Sequence, residues 1–347
     1  MAVCGRDLCV GISLRVIRFG GHRPPLQKAP IVKTSQIVLG TRGSELARAQ
    51  AHLVEKAVQS AWPALTIDTK IIATKGDERR MQVRDFRQGR KGLFTAEIER
   101  ALRAGDVDVA VHSAKDLPSE TNPGAEIAVV FPRARIDDVL VSKHSGGLAG
   151  LSDSATIATG SVRRKHQLLW KCADLKIVAL RGNVPTRLRK LAENEWDAIV
   201  LARAGLERLG LSLAQNEINF EDSQFFLEVL PSEIFLPAGG QGIIALQIRV
   251  GDESAKAIID PVNDRETLLC LRAEREFLRL LHGDCNSPVG VLAKIDNGKM
   301  KLRAQVFDQG LAAPRESKVE GECAEGERLA VQLLRQINGE QEKEREH

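Results

Sequence analysis

From Ser35 onward, short β-branched runs alternate with amphipathic helical stretches, which restricts the chain to α/β units built around sheets of mostly parallel strands. The expected strands are Ile37–Leu39, Thr66–Ala73, Val107–Val111, Thr156–Ala158, Lys176–Leu180 and Ala198–Leu201. Between them Glu45–Gln59, Thr95–Ala104, Val162–Lys171 and Pro185–Glu193 carry helical periodicity. Two stretches, Phe131–Asp137 and Leu236–Gly242, interrupt the pattern with Pro, Gly and Arg and read as crossings between lobes. The chain therefore leaves one lobe, builds a second and returns. After Asp260 a long helix, Glu266–Leu281, precedes strands Val289–Ile295 and Lys301–Phe307 and a helix near Glu325–Ile337, a smaller α+β unit. The expected division is an extension over 1–35, a first lobe over 36–131 and 243–260, a second, arginine-rich lobe over 136–236, and a third domain over 261–347.

Composition excludes several classes of function. The 50 basic residues against 46 acidic ones give a net charge of +4, and ten Phe and three Trp with no Tyr leave few stacking platforms, so nucleic acid is not an expected partner. Six cysteines (Cys4, Cys9, Cys172, Cys270, Cys285, Cys323) form no CxxC pair or Cys/His cluster, which argues against a metal site or a disulfide framework. Cys172 and Cys270 fall in helical apolar patterns and read as small buried thiols. No apolar run approaches the roughly 18 residues that span a bilayer, so no membrane partner is expected.

The first 35 residues carry Arg6, Arg15, Arg18, Arg23, Lys28 and Lys33 against Asp7 and lack an apolar core with a small-residue cleavage site. They read as a disordered extension or an over-long start of a cytoplasmic, monomeric protein; an organellar presequence is the alternative. The charged stretch 75–92 reads equally as a solvated loop or a mobile lid, and Gln341–His347 as a solvated tail.

Three strand ends share one construction. Ile37–Ser44 and Ile157–Arg164 run from a strand through a small-residue turn into a helix, with Ser44 or Ser161 and arginines at its N-terminus. Val178–Arg187 repeats the plan, with Pro185 suited to the first helical turn and Arg181 at the strand's carboxyl end. Helix N-termini attract anions, and forked guanidinium donors add charge and geometry suited to carboxylates. Each alone is an ordinary capped helix; the three together point to an anion cleft at the strands' carboxyl edge, lined by Arg42, Arg163, Arg164, Arg181 and Arg187. The segment Val107–Pro118 delivers His112, Ser113, Lys115 and Asp116 to the same edge, where Asp116 is a candidate acid/base or a turn residue and His112 a candidate structural histidine. Leu281–Pro288 ends the long helix, with Gly283 as expected C-cap and Cys285 on an exposed turn. A protease-like pair of His282 and Cys285 is disfavoured, because spacing alone supplies no oxyanion hole. The residues thus describe an enzyme whose arginine-lined cleft holds a small substrate rich in carboxylates.

In order, Gly40–Ala47, Lys91–Thr95, Val111–Pro118, Thr159–Arg164, Arg181–Asn183, Thr186–Arg189, Ala204–Arg208, Gly240–Gly242 and Gly283–Cys285 resemble the porphobilinogen deaminase (hydroxymethylbilane synthase) family from Gln36 to about Asn338. The resemblance implies two lobes of periplasmic-binding-protein topology plus a small α+β domain. It further implies a dipyrromethane cofactor held by a thioether to Cys285, on which four porphobilinogen units add head to tail with loss of ammonia before hydrolysis releases the linear tetrapyrrole. Each pyrrole carries an acetate and a propionate, which accounts for the arginines; Arg42, Arg181, Arg187 and Arg208, with Ser44 and Ser113, would bind substrate. Arg163, Arg164, Lys115 and Ser161 would bind cofactor, and Asp116, assisted by Lys115, would stabilise the cationic methylene-pyrrolenine left by ammonia and move protons. Ala114 stands where a larger apolar residue is common, Asn286 and Ser287 follow the cysteine in place of more usual residues, and the N-terminal extension has no counterpart. Rival readings are a non-catalytic two-lobed solute-binding module, which needs neither Asp116 nor Cys285, and a phosphate- or nucleic-acid-binding protein.

Overall fold

A computed structural model describes residues 35–73, 95–120, 123–213, 215–282, 287–308 and 313–340, all within one compact unit, Val32–His347. The N-terminal extension, the charged stretch 75–92, the Lys91–Phe94 part of its motif, Gly283, Cys285 and Asn286, and the tail lie outside the described residues.

The first sheet is built from β1 (Gln36–Arg42), β2 (Thr66–Ile72), β3 (Val109–Ser113), β4 (Ala125–Val130) and β11 (Ile244–Arg249) in the order β2-β1-β3-β11-β4. It is covered by α1 (Glu45–Ala61), α2 (Ala96–Ala104) and α6 (Glu253–Ile259). Side-chain alternation on β1 explains the layering: Ile37 and Leu39 enter one core with Val54 and Val58 of α1, while Val38 packs from the other face against Ile98 and Leu102 of α2. The second sheet contains β5 (Asp138–Ser142), β6 (Thr156–Ala158), β7 (Lys176–Val178), β8 (Ala198–Ala202), β9 (Glu217–Phe220) and β10 (Ser223–Leu230), ordered β7-β6-β8-β5-β10-β9. Its helices are α3 (Val162–Lys171), α4 (Val184–Glu193) and α5 (Arg203–Arg208).

The two lobes repeat one arrangement. In each sheet the first three strands are parallel, the fourth antiparallel, and the fifth parallel to the first three again. Four of five strands in one sheet and four of six in the other therefore share a direction, although several pairings are antiparallel. The fourth strand of each sheet is the one laid down after a crossing: β5 follows the first and β11 the second. The crossings run side by side, joined by Ala134 N to Gly242 O (3.1 Å) and Phe131 N to Ile244 O (3.0 Å). Gly242 has φ +86, and a Cβ there would lie 2.7 Å from Ala134 O, so the close approach requires glycine.

The third unit is an antiparallel sheet of β12 (Val289–Asp296), β13 (Lys299–Val306) and β14 (Arg315–Glu322), packed under α7 (Arg265–Leu280) and α8 (Gly326–Ile337) around fully buried Phe277. Burying a phenylalanine of this kind contributes about 2–3 kcal/mol. No helix among the described residues is long and apolar enough to cross a membrane.

Three local expectations are corrected. The third strand runs from Val109 to Ser113, two residues beyond its expected position, because β11 pairs with its far end and draws His112 and Ser113 into the sheet. Cys172 caps α3 just past its expected end and is half-buried against the core rather than fully buried. Helix α7 ends at Leu280, one residue before its expected end, with Leu281 as its cap and His282 at φ +51; Gly283, the expected C-cap, lies outside the described residues.

One buried carboxylate joins the three parts. Glu274 of α7, with no exposed surface, accepts both Nη atoms of Arg133 from the first crossing, the backbone N–H of Gly240 from the second, and that of Ala293 on β12. Removing one member of such a group leaves an uncompensated buried charge, which costs about 3–5 kcal/mol. Glu274→Ala is accordingly expected to lose stability on that scale in urea or thermal melts; a loss within experimental error refutes the clasp.

Candidate active site

The carboxyl ends of β1, β3, β6 and β7 carry the residues singled out in the sequence, and local chemistry explains their placement. Ser44 caps α1, its Oγ accepting from Ala47 N at 3.3 Å, and Ser161 caps α3, accepting from Arg164 N at 3.4 Å. Asn183 caps α4 and accepts from Thr186 N at 2.9 Å, with Pro185 in the first turn as expected. Both serine oxygens are thus already committed to their helices. Ser113 exchanges hydrogen bonds with Gln50 of α1 (2.9 and 3.1 Å). Lys115 and Asp116 form a single 3₁₀ turn after β3. Gly240 at φ +73 packs against that turn, where a Cβ would sit 3.0 Å from Ala114 C and Lys115 N, so the second crossing forms the floor beneath the pair.

Asp116 is exposed and Lys115 half-buried. Burial pushes the Lys115 ammonium down to about 8; Asp116 opposes that shift, and Arg164 and Arg163 add to it. Arg187 of α4 is half-buried and pushed down to about 10, first by burial and then by Arg164, with Asp116 acting the other way. These mutual influences place Lys115 and Asp116 of the first lobe opposite Arg163, Arg164 and Arg187 of the second.

The arginine pair is more constrained than its sequence implied. Asp138, fully buried at the start of β5, accepts Arg163 Nη1 at 2.9 Å and Arg164 Nη2 at 2.7 Å. Burial alone would raise the Asp138 carboxyl, but the two guanidinium groups hold it well below the usual range. Arg163 Nη1 also donates to Gln167 Oε1 and Leu236 O, and Arg164 Nη1 to Val200 O. What remains is Nε on each, buried without a partner among the described residues, and the edge of Arg163 that faces a cleft.

That cleft is small, about 40 Å³ and partly open to solvent, and is lined by Lys115, Ser119, Ser161, Arg163, Arg275 and Ser287 among others. Ser287 lies two residues beyond Cys285, which itself is outside the described residues. Arg275 of α7 was not singled out in the sequence. Its Nη2 donates to Ser119 O at 3.4 Å, and burial pushes it down to about 10 against the pull of Glu99. One signal was readable: Glu274 interrupts the apolar stripe Cys270, Ala273, Phe277, marking α7 as a helix with a buried polar duty.

Other candidates are dispersed. Arg42 ends β1 beside His112. Arg181 is exposed on the loop before α4. Arg208 donates to Gly242 O at 2.7 Å and lines a different groove with His52, Leu53, Lys56 and Phe131. Around the central cleft, five cations (Lys115, Arg163, Arg164, Arg187, Arg275) face two carboxylates (Asp116, Asp138). This charge excess suits an anion with several carboxylates, and the exposed Asp116 is free to act on its cationic or N–H parts.

Comparison with known proteins agrees. Residues 37–257 match the family model for the porphobilinogen deaminase dipyromethane cofactor binding domain, and residues 268–339 that for its C-terminal domain. Porphobilinogen deaminase of Roseiflexus sp. (strain RS-1) is 42% identical over 273 residues, 78% of this chain and 85% of that protein. The enzyme of Pelotomaculum thermopropionicum is 41% identical over 309 residues, covering 88% and 95%. Among solved structures, the methionine binding protein MetQ covers 67% of this chain and 92% of its own at 13% identity and a TM-score of 0.39. A match of two family models across both lobes and the third unit, with relatives of this identity, means that the chain belongs to the porphobilinogen deaminase family.

Proposed function

We propose that the chain is a hydroxymethylbilane synthase, joining four porphobilinogen molecules head to tail with release of ammonia and then releasing the linear tetrapyrrole by hydrolysis. The observation that carries this reading is one exposed carboxylate, Asp116, next in sequence to Lys115 at a cleft whose lining takes one cation from each part of the fold, Lys115, Arg163 and Arg275.

The residues lining the cleft suit the carboxylates of a dipyrromethane: Lys115, Arg163 and Arg275 supply positive charge, and Ser287 adjoins the segment that holds Cys285. Lys115, Ser161, Arg163, Arg164 and Cys285 would hold the group, Cys285 through a thioether. When bound, it supplies the free pyrrole carbon on which the chain starts. Arg42, Arg181, Arg187 and Arg208, with Ser44 and Ser113, are assigned to the acetate and propionate groups of incoming units; Arg275 joins them as a further cleft cation. The division into lobes 36–131 with 243–260 and 136–236, and a third domain 261–347, belongs to the same proposal.

At each addition the carbon–nitrogen bond of the aminomethyl group breaks, ammonia departs with its electron pair, and a carbon–carbon bond forms to the acceptor pyrrole. That pyrrole carbon loses a proton. Asp116 is positioned to hold the substrate's N–H groups, to stabilise the positive charge left by ammonia and to take up the proton. At about 4 Å and an effective dielectric near 20, a carboxylate stabilises such a charge by about 4 kcal/mol. Lys115, still largely protonated near neutral pH, holds the neighbouring carboxylates.

Intact-mass analysis of active protein should find a dipyrromethane increment on Cys285; an active preparation with that cysteine unmodified refutes the attachment. Asp116→Asn should keep the fold and the bound group while turnover falls by about 10²–10⁴-fold, and near-normal turnover would remove the role given to Asp116. Because Lys115 is pushed down to about 8, its charge is lost as pH rises through that value. Turnover should therefore fall above pH 8 in the wild type and stay flat in Lys115→Arg; identical profiles for the two would remove the assisting role given to Lys115.

A further inference from the structure

Gln167 of α3 and Gln305 of β13 are both fully buried, although each carries a polar amide. Alternation along β13 sends Met300, Leu302, Ala304 and Val306 into the core of the third unit, so Gln305 lies on the opposite face, against α3. Beside it Phe307 packs on His166 and Trp170 of α3, with ring centroids 5.8 and 6.1 Å apart. For stability alone, two apolar side chains of the same shape would serve this seam about as well as two amides.

The amides form a directional chain. Gln305 Nε2 donates to Glu316 Oε2 of β14 at 2.9 Å, which leaves Gln305 Oε1 to accept from Gln167 Nε2 at 3.0 Å. Gln167 Nε2 also donates to Leu236 O at 2.9 Å, and Gln167 Oε1 accepts from Arg163 Nη1 at 2.9 Å. An ionised carboxylate only accepts and a guanidinium only donates, so the two ends dictate the orientation of both amides between them. Glu316 is itself held by Arg303, whose Nη2 donates to Glu233 O of the second lobe at 2.8 Å. Asp138 on its own would let the Arg163 guanidinium turn about one bond; Gln167 and Leu236 O on the same Nη1 settle the plane of this rigid fork. Nη2 has no hydrogen bond among the described residues, and it belongs to a side chain that is 3% exposed and lines the cleft.

We propose that Gln167 and Gln305, anchored on Glu316, are positioning residues that aim Arg163 Nη2 at a carboxylate of the group bound in the cleft. The third unit thereby sets the direction of an arginine in the second lobe. The inference rests on the assignment of Arg163 to the dipyrromethane given above.

The test reads the fraction of freshly purified chain that carries the dipyrromethane mass, together with turnover and thermal melts. Gln305→Met keeps the side-chain length but removes the relay; the loaded fraction should fall about threefold or more while the melting temperature changes little. Exchanging the two residues, Gln305→Glu with Glu316→Gln, restores an acceptor-only partner for Gln167. Loading should return to near the wild-type level, although the newly buried carboxylate lowers the melting temperature. Packing alone would not move loading and stability in opposite directions. Where Gln305→Met does not fold, Glu316→Leu cuts the chain at its exposed end and should lower loading in the same way. Wild-type loading in Arg163→Lys overturns the assignment of Arg163 itself. Poor loading there, with wild-type loading in Gln305→Met or Glu316→Leu, or with no recovery in the exchange, overturns the positioning role alone.

Discussion

Asp138 is the point on which the cleft depends. Its carboxylate, wholly withdrawn from water, is tolerated because two guanidinium groups and the Gln241 amide surround it, the last at 3.0 Å. Those same bonds determine where Arg163 and Arg164 can be. A free pair of adjacent arginines repels and rotates; a pair locked on a buried anion presents a fixed remainder of its donors to the cleft. Gln241 also donates to Ile136 O, so the carboxylate that orders the arginines also secures the passage between lobes. The anchored arginine pair and the passage between lobes are thus one hydrogen-bonded unit.

The cleft draws one group of residues from each part of the molecule. The first lobe supplies the carboxylate and the tuned lysine of the Lys115–Asp116 turn, the second supplies the locked arginines and Arg187, and α7 supplies Arg275. Glu274, one residue before Arg275, binds both crossings and β12. The third domain is therefore tied to both crossings through Glu274, beside its direct contacts with each lobe at Arg275–Ser119 and Gln167–Gln305, and Gly240 links α7 to the Lys115–Asp116 turn.

Much of this was legible in the sequence where local chemistry decides the outcome. Ser44, Ser161 and Asn183 cap their helices where a polar residue precedes an amphipathic run, and β1, β2 and β8 follow from β-branched runs bounded by turn residues. The strands that were not called, β4, β5, β9, β10, β11 and β14, depend on partners far along the chain. Strand β14 is charged at most positions and buries only Val319, so its state comes from pairing with β13 rather than from its own pattern. Asp138 opens a strand of buried residues, and nothing local distinguishes it from a turn aspartate. Its partners lie 25 and 26 residues away, and for that reason Arg163 and Arg164 looked wholly available to a ligand. Arg275 escaped notice because only the packing of α7 onto the lobes carries it to Ser119.

The exchange of strands at the crossings has a bearing on how the chain is made. The second lobe is contiguous in sequence: β5, laid down first, is in place before β8 and β10 arrive to flank it. The first lobe is not. Its β11 belongs between β3 and β4, yet it is synthesised more than a hundred residues after them. Until then β3 and β4 lack the strand that joins them, and the Lys115–Asp116 turn lacks its floor at Gly240. During synthesis the second lobe can close on itself while the first waits with unpaired edges, the kind of surface that recruits other chains. The lobe carrying the Lys115–Asp116 turn is therefore the last of the two to mature, and it does so when the second crossing returns.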